Sequence, residues 1–333
     1  MNSKFEKWDE NCTLESLQNI ADACVHCGKC RENCAFLDKY EMDLGDVTKL
    51  QDYIYGCFLC GNCDRVCPAG ISGRQLFQNL RRMQVRDGKL EEKPYSFVLK
   101  EKKDYKFRNY RNATVGRVLF PGCNFPSMFP KSNRKIVDLC KAKGIGTVYD
   151  CCGKPIAELG LYRDEERIIN RICRELESRD IDEVITTCPN CYYFLKERIP
   201  QKVRSIYEVL PELVPEISVP EGIEIQIPCP DRTDREWYDG ICKLLGYEPA
   251  VTAAEQCCGL GGMASAEEPE LAKKFGGGLT SSGLRNTSFC ASCAGQYARN
   301  GKEIRHVLSL LLGTDEAPAT KTSYLNRVKT KYK

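Results

Sequence analysis

The sequence has 333 residues, of which 22 are cysteine and only two are histidine. With 42% apolar and 29% charged residues it has the composition of a globular chain that can bury a core, which excludes disordered and collagen-like proteins. Lys and Arg number 49 against 46 Asp and Glu, and a net charge of +3 is too small to indicate a nucleic-acid or anionic-membrane partner.

The sequence contains no segment that predicts a membrane span. Its longest apolar runs, such as VLSLLL at 307–312, fall far short of the ~20 residues that a span needs. The first residues also lack the apolar core of a secretion signal. We therefore expect a cytoplasmic protein. Thiols stay reduced in the cytoplasm, so this many cysteines indicate metal binding.

Two cysteine runs near the N-terminus share the spacing C-x2-C-x2-C-x3-C. Three cysteines of such a run can bind one 4Fe-4S cluster, while the fourth reaches towards a neighbouring cluster. The spacing therefore predicts two cubane 4Fe-4S clusters with exchanged fourth ligands: Cys24, Cys27, Cys30 and Cys67 for the first, and Cys57, Cys60, Cys63 and Cys34 for the second. A single zinc ion fits these runs badly, because zinc sites usually use two C-x2-C pairs separated by a loop.

The residues between and after these runs give weaker signals. Leu44, Val47, Leu50 and Ile54 recur at helical spacing, which predicts a helical ferredoxin-like domain around the two runs. The next stretch, 83–115, is basic and polar, and its composition favours an exposed connector over a docking segment.

The rest of the chain repeats one pattern of short apolar strands and amphipathic helices. In each copy C-x27-CCG is followed by C-x2-C; 35 residues separate the second cysteine of CCG from the next cysteine in the first copy, and 31 in the second. Such alternation predicts an α/β layer with a parallel sheet. The predicted fold class is α+β overall, with a helical ferredoxin-like N-terminal domain followed by two tandem α/β domains related by an internal repeat. The expected boundaries are 1–82 for the ferredoxin-like domain, 83–115 for the connector, 116–215 and 216–313 for the two α/β domains, and 314–333 for a polar tail.

Each copy contributes five cysteines: Cys123, Cys151, Cys152, Cys188 and Cys191 in the first, and Cys229, Cys257, Cys258, Cys290 and Cys293 in the second. They fall where predicted strands end, the usual place for a ligand in an open α/β sheet. Five thiolates exceed the number that one zinc ion binds. Adjacent cysteines on an extended segment point in opposite directions, so they are better suited to different irons of one cluster than to a single tetrahedral ion.

In combination, these motifs resemble the heterodisulfide reductase type of iron-sulfur protein, whose CCG domains carry C-x(n)-CCG-x(n)-C-x2-C, here behind a two-cluster ferredoxin module. The resemblance extends over about 20–313. It implies that the ten cysteines are catalytic and hold two non-cubane 4Fe-4S clusters, which face each other around a disulfide substrate and reduce it to two thiols. It also implies that the ferredoxin clusters carry electrons from a flavin-containing subunit, inside a larger and oxygen-sensitive complex.

The same family includes iron-sulfur subunits of flavin-dependent oxidases of glycolate, lactate and glycerol phosphate, and members in which one CCG half holds zinc or a lone cluster. The alternative is therefore a non-catalytic electron-transfer subunit of such a complex. The presence of every cysteine in both sets favours the reductase interpretation. The glycine runs in the chain fit no nucleotide-binding motif, so we expect the flavin on a partner.

Four cysteines lie outside the predicted sets: Cys12, Cys140, Cys173 and Cys242. All but Cys12, which has no assigned role, are expected on the apolar faces of helices, where a free cysteine packs as a small hydrophobic residue. His26 is expected to tune hydrogen bonding at the first cluster. His306 is a candidate proton donor to a leaving thiolate, with packing as the alternative. The tail at 314–333 is expected to be solvated.

Overall fold

The structure is a computed structural model that describes residues 8–214, 216–252, 257–280 and 282–332. Its N-terminal part is built from short helices around the two cysteine runs. They are α1 (Leu14–Ala21), α2 (Lys29–Glu32), α3 (Ala35–Lys39), α4 (Val47–Leu50), a 3₁₀ helix (Gln51–Gly56), α5 (Asn62–Val66) and α6 (Gly73–Arg86). Leu44, Val47, Leu50 and Ile54 are all buried, as the helical spacing predicts. The predicted helix is nevertheless short, because Tyr53 leaves the helical region with φ −127° and ψ 19°.

A five-stranded sheet follows, with the order β1-β3-β2-β4-β5. Its strands are β1 (Asn109–Asn112), β2 (Gly116–Phe120), β3 (Gly146–Tyr149), β4 (Ile181–Thr186) and β5 (Lys202–Ser205). The pairing is parallel except between β1 and β3. Val118, Leu119, Val184 and Ile185 are fully buried, as expected for parallel strands covered on both faces. The covering helices are α8 (Phe125–Met128), α9 (Pro130–Ala142), α10 (Lys154–Glu158), α11 (Tyr162–Glu177), α12 (Pro189–Lys196) and α13 (Ile206–Leu213).

The second sheet has four parallel strands in the order β7-β6-β8-β9. They are β6 (Ile223–Gln226), β7 (Ala250–Val251), β8 (Arg285–Ser288) and β9 (Arg305–His306). The helices of this part are a 3₁₀ turn (Cys229–Asp231), α14 (Glu236–Leu245), a 3₁₀ helix (Gly261–Ala266), α15 (Pro269–Gly277), α16 (Ala291–Arg299) and α17 (Val307–Leu311). The protein is therefore a mixed helix and sheet fold, and the strand order β3-β2-β4-β5 has the same form as β7-β6-β8-β9.

The stretch at 83–115, expected to be an exposed connector, is largely built into the fold. It contains the end of α6, a 3₁₀ turn (Lys93–Tyr95), α7 (Ser96–Lys102) and the edge strand β1. Tyr105, Phe107 and Tyr110 are buried. The basic composition concealed this, because lysines and arginines separate the buried aromatic residues along the sequence.

The polar tail also differs from the solvated end that its composition predicts. It forms α18 (Ser323–Thr330), which packs against α8. Asn326 Nδ2 donates to the Ser127 carbonyl at 3.1 Å, and Asn109 Nδ2 donates to the Thr330 carbonyl at 3.0 Å. Within the described ranges, no helix is both long enough and apolar enough to cross a membrane.

Candidate iron-sulfur sites

The two N-terminal cysteine runs exchange their fourth cysteines in the structure. Cys67 joins the first three cysteines of the first run around one small cavity, lined by Cys24, Cys27, Cys30 and Cys67. Cys34 joins the second run around another cavity, lined by Cys34, Cys57, Cys60 and Cys63. We call these groups the first and second quartets.

The first quartet lies near the surface and the second lies deeper. Cys27 and Val25 are exposed. In the second quartet, burial raises the pKa of the Cys34 thiol to about 12. A buried thiol resists ionisation unless cations or a metal compensate the charge, so the second quartet depends more on such partners.

Backbone N–H groups point at several of these sulfurs. The His26 amide lies 3.4 Å from Cys24 Sγ, and the Leu59 amide lies 3.4 Å from Cys57 Sγ. Hydrogen bonds of this kind favour the thiolate and tune the potential of a bound cluster. Asp43 holds the His26 ring: Nδ1 of His26 lies 2.8 Å from Asp43 Oδ2, and this hydrogen bond raises the pKa of His26.

The ten remaining predicted ligands gather at the carboxyl edges of the two sheets. Phe120 of β2 is aligned with Thr186 of β4, so the segments carrying Cys123 and Cys188 leave the first sheet at one edge. Gln226 of β6 is aligned with Ser288 of β8 in the second sheet, with Cys229 and Cys290 following the two strands. We call the five cysteines of the first sheet, Cys123, Cys151, Cys152, Cys188 and Cys191, the first CCG set. The second CCG set comprises Cys229, Cys257, Cys258, Cys290 and Cys293.

Thiol contacts run through both CCG sets and reach the second quartet. The contacting pairs are Cys123 with Cys151, Cys151 with Cys152, Cys152 with Cys191, Cys191 with Cys188, Cys188 with Cys290, Cys290 with Cys293, Cys293 with Cys258, and Cys257 with Cys60. The two sets therefore meet at Cys188 and Cys290. The second CCG set meets the second quartet at Cys60 and Cys257.

These contacts divide the thiols into acidic and less acidic partners. Hydrogen bonds from Cys151 and Cys191 lower the pKa of Cys152 to about 5, and one from Cys257 lowers the pKa of Cys60 to about 6. The pKa of Cys257 is raised in turn by its hydrogen bond with Cys60. Cys60 and Cys152 are therefore favoured as thiolates, the form that binds metal.

Partly buried cations surround the second CCG set. Arg74 Nη2 lies 3.2 Å from the Cys60 carbonyl oxygen and 3.4 Å from that of Cys229. Burial lowers the pKa of Arg232, but the nearby thiols, Cys60 and Cys229 foremost, outweigh this effect and leave the pKa raised. Lys154, paired with Glu158, adds a third positive charge near Cys229. Such charges reduce the cost of burying several thiolates together.

The first CCG set has its own cations, the buried Lys102 and the partly buried Arg327. For each, burial lowers the pKa, while the Cys123 thiol is the largest opposing influence and the net pKa is raised. Sequence reasoning assigned no site role to these two residues or to Arg74, Arg232 and Lys154. Lys154 and Arg232 follow Cys152 and Cys229 by two and three residues, so their proximity along the chain was a signal. Arg74, Lys102 and Arg327 carry no such signal.

Arg81 joins three regions of the chain and is fully buried. Its guanidinium donates to the carbonyls of Ile54 and Cys57 beside the second quartet. It also donates to the Glu158 carbonyl in the first sheet region and to the Gly262 carbonyl in the second, both at 2.7 Å. This residue fixes the N-terminal part against both CCG sets.

Two glycines pack directly against thiol sulfurs. A Cβ at Gly122 would lie 2.9 Å from Cys191 Sγ, and a Cβ at Gly73 would lie 2.5 Å from Cys63 Sγ. In a tetrahedral zinc site, with Zn–S of about 2.3 Å, the sulfurs lie roughly 3.8 Å apart. In the part of the chain that the structure describes, the one place where three metal-binding side chains lie within 4.8 Å of one another is Cys24, His26 and Asp43. Among the described residues, no three of the predicted cysteine ligands lie that close together.

The four cysteines outside the predicted sets, and His306, contribute to packing and local hydrogen bonding in the structure. Cys140 and Cys173 are buried in the core of the first sheet region, and Cys242 packs against the same core. Cys12 Sγ lies 3.7 Å from Ser16 Oγ. His306 caps α17, since its Nδ1 accepts from the Leu308 amide at 3.2 Å. Burial lowers the pKa of His306 to about 3, which argues for packing over proton donation.

Comparison with known families agrees with this geometry. A family model of the 4Fe-4S dicluster domain matches residues 18–71, and the cysteine-rich domain model named CCG matches 118–196 and 231–281. The chain combines a 4Fe-4S dicluster domain with two CCG regions. The second CCG match includes Cys257 and Cys258 but ends before Cys290.

The homologues of this chain are iron-sulfur proteins and oxidoreductase subunits. An uncharacterized iron-sulfur protein of Methanocaldococcus jannaschii is 26% identical over 72% of this chain and 55% of its own length. A subunit of the dihydromethanophenazine:CoB--CoM heterodisulfide reductase of Methanosarcina mazei is 22% identical over 79% of this chain and 83% of its own length. The glycolate oxidase iron-sulfur subunit of Escherichia coli is 29% identical over 20% of each chain. The chain spans about half the length of the first of these relatives.

Proposed function

We propose that this chain is an iron-sulfur redox subunit of a larger complex, in which the two CCG sets hold non-cubane 4Fe-4S clusters and reduce a disulfide substrate. The observation that carries the proposal is that the two CCG sets adjoin: Asn190, between Cys188 and Cys191 of the first set, places its Nδ2 3.5 Å from Cys290 Sγ of the second. The similarity to the heterodisulfide reductase subunit of Methanosarcina mazei supports the same conclusion. Bound clusters would supply single electrons; two electrons and two protons convert a disulfide into two thiols.

The placement of the quartets supports one direction of electron flow. The first quartet, with the exposed Cys27, is the accessible end and would meet a flavin-containing partner. The second quartet contacts the second CCG set through Cys60 and Cys257. Arg74 and Arg232 lie at this junction, where they would stabilise the negative charge that each electron adds.

We also propose that the two CCG regions are tandem copies of one unit, with the ligand sets assigned as the sequence predicts. The matching strand orders and the equivalent positions of the cysteines after β2 and β6 support this interpretation. We also assign the segments at 83–115 and 314–333 to the first CCG domain, because residues of both segments pack against it.

Metal analysis and a turnover assay test the proposal. Protein purified without air should contain about 16 irons per chain, four for each of four clusters. It should also reduce a mixed disulfide, from a panel that includes coenzyme-type disulfides, when supplied with reduced methyl viologen. Cys188→Ser should abolish turnover, whereas Cys242→Ser, which changes a partly buried cysteine outside the sets, should not. Full iron content with no disulfide reduced would rule out the catalytic role.

The second candidate function is electron transfer within a flavin-dependent oxidase complex. The similarity to the glycolate oxidase iron-sulfur subunit favours it, although over a fifth of the chain. In that case we expect about 12 irons with one zinc, or a CCG set without its special cluster, and no disulfide turnover.

A further inference from the structure

The C-terminal helix α18 covers the first CCG set. Val328 packs with Cys123 and Cys151, together with the buried rings of Tyr105 and Phe107. The covering residues lie at 102–107 and 323–330, outside the matched family domains at 18–71, 118–196 and 231–281. The first CCG set is therefore completed by two segments that do not belong to the matched domains.

Arg327 is the charged residue that α18 brings to this site. Its Nη1 lies 2.6 Å from Glu101 Oε1, and its Nη2 donates to Asn124 Oδ1 at 3.0 Å. Its Nε is buried and has no hydrogen-bond partner among the described residues. Glu101 and Asn124 thus fix the position of the guanidinium.

The surroundings of Arg327 allow its charge to act on the cysteines. Glu101 also pairs with Lys102 at 2.6 Å, so two cations share one carboxylate and the group carries a net positive charge. Both cations lie close enough to the Cys123 thiol to influence it electrostatically. At the second CCG set, the corresponding charges near Cys229 come from Arg74 of α6 and from Arg232, three residues after Cys229.

We propose that Arg327 is a positioning residue of the first CCG set, held beside Cys123 by Glu101 and Asn124, and that its charge raises the reduction potential of the cluster bound there. A reduced cluster carries one more negative charge than an oxidised one, and a nearby cation in a low-dielectric site stabilises the reduced form. This inference rests on the proposed function only in requiring a cluster at the first CCG set.

Redox titration of the purified full chain, followed by electron paramagnetic resonance, tests the inference. Arg327→Gln should lower the midpoint potential of one cluster by about 59 mV. For one electron, this shift corresponds to a tenfold fall in the ratio of reduced to oxidised cluster. Arg327→Lys keeps the positive charge, so its midpoint potential should stay close to that of the unaltered chain. Lys329→Gln removes the same charge from an exposed position on the same helix and should leave every potential unchanged.

Iron content distinguishes the possible outcomes. If Arg327→Gln loses about four irons that Arg327→Lys and Lys329→Gln retain, the charge holds the cluster in place rather than setting its potential, and the inference is wrong. If Arg327→Gln keeps its iron and all potentials are unchanged, or if Lys329→Gln shifts them equally, the inference is wrong. Absence of disulfide turnover in the unaltered chain, with the Arg327 shift still present, would contradict the proposed function alone.

Discussion

The buried guanidinium of Arg81 offers the most direct test of how the three regions are held together. It donates hydrogen bonds to four carbonyl groups, those of Ile54, Cys57, Glu158 and Gly262. Arg81→Met keeps most of the side-chain length but leaves these four carbonyls without their charged donor.

The expected effect is large. Each buried carbonyl that loses its donor costs about 1–3 kcal/mol, so four of them cost roughly 4–12 kcal/mol. Relief of the desolvation cost of the arginine offsets part of this sum, and we therefore expect a net loss of about 4 kcal/mol, towards the lower end of that range. A domain has a stability of about 5–15 kcal/mol. The variant should therefore fail to fold, or its N-terminal part should separate from the two sheet regions.

Urea unfolding followed by circular dichroism measures this loss. Arg86→Met is the matched control, because Arg86 lies on the same helix but donates to the carbonyls of Glu10 and Cys12 near the N-terminus. Arg81→Lys should be intermediate, since an ammonium group cannot reach all four carbonyls in the geometry of a guanidinium. An Arg81→Met protein whose unfolding free energy lies within about 1 kcal/mol of the unaltered chain would refute this account.

Two further predictions concern iron content. If the fourth ligands are exchanged, the double variant Cys24→Ser/Cys67→Ser should lose one cluster, about four irons, whereas Cys24→Ser/Cys34→Ser should lose two; the reverse result would show that each run holds its own cluster. Gly122→Ala should reduce iron at the first CCG set, because its Cβ would lie 2.9 Å from a thiol sulfur. Gly88→Ala shares a positive φ, +68° against +69°, but has open space, so it should cost only about 1–2 kcal/mol and no iron.

The sequence alone identified the cysteines, their division into sets and the alternation of strands and helices. These are local properties: ligands of one run are two or three residues apart, and a parallel strand needs only a short apolar segment. The sequence also predicted one cluster bound by Cys24 and Cys67, because the spacing of the two runs is typical of clusters that exchange their fourth ligands.

The tertiary structure decided which sets touch and which charges surround them. The contacts of Cys60 with Cys257 and of Cys188 with Cys290 join residues about 100 or more positions apart. Arg327 and Lys102 come from stretches whose polar composition predicted a tail and a connector. Such placements depend on the packing of whole regions against one another, and no periodicity or motif within a few residues records them.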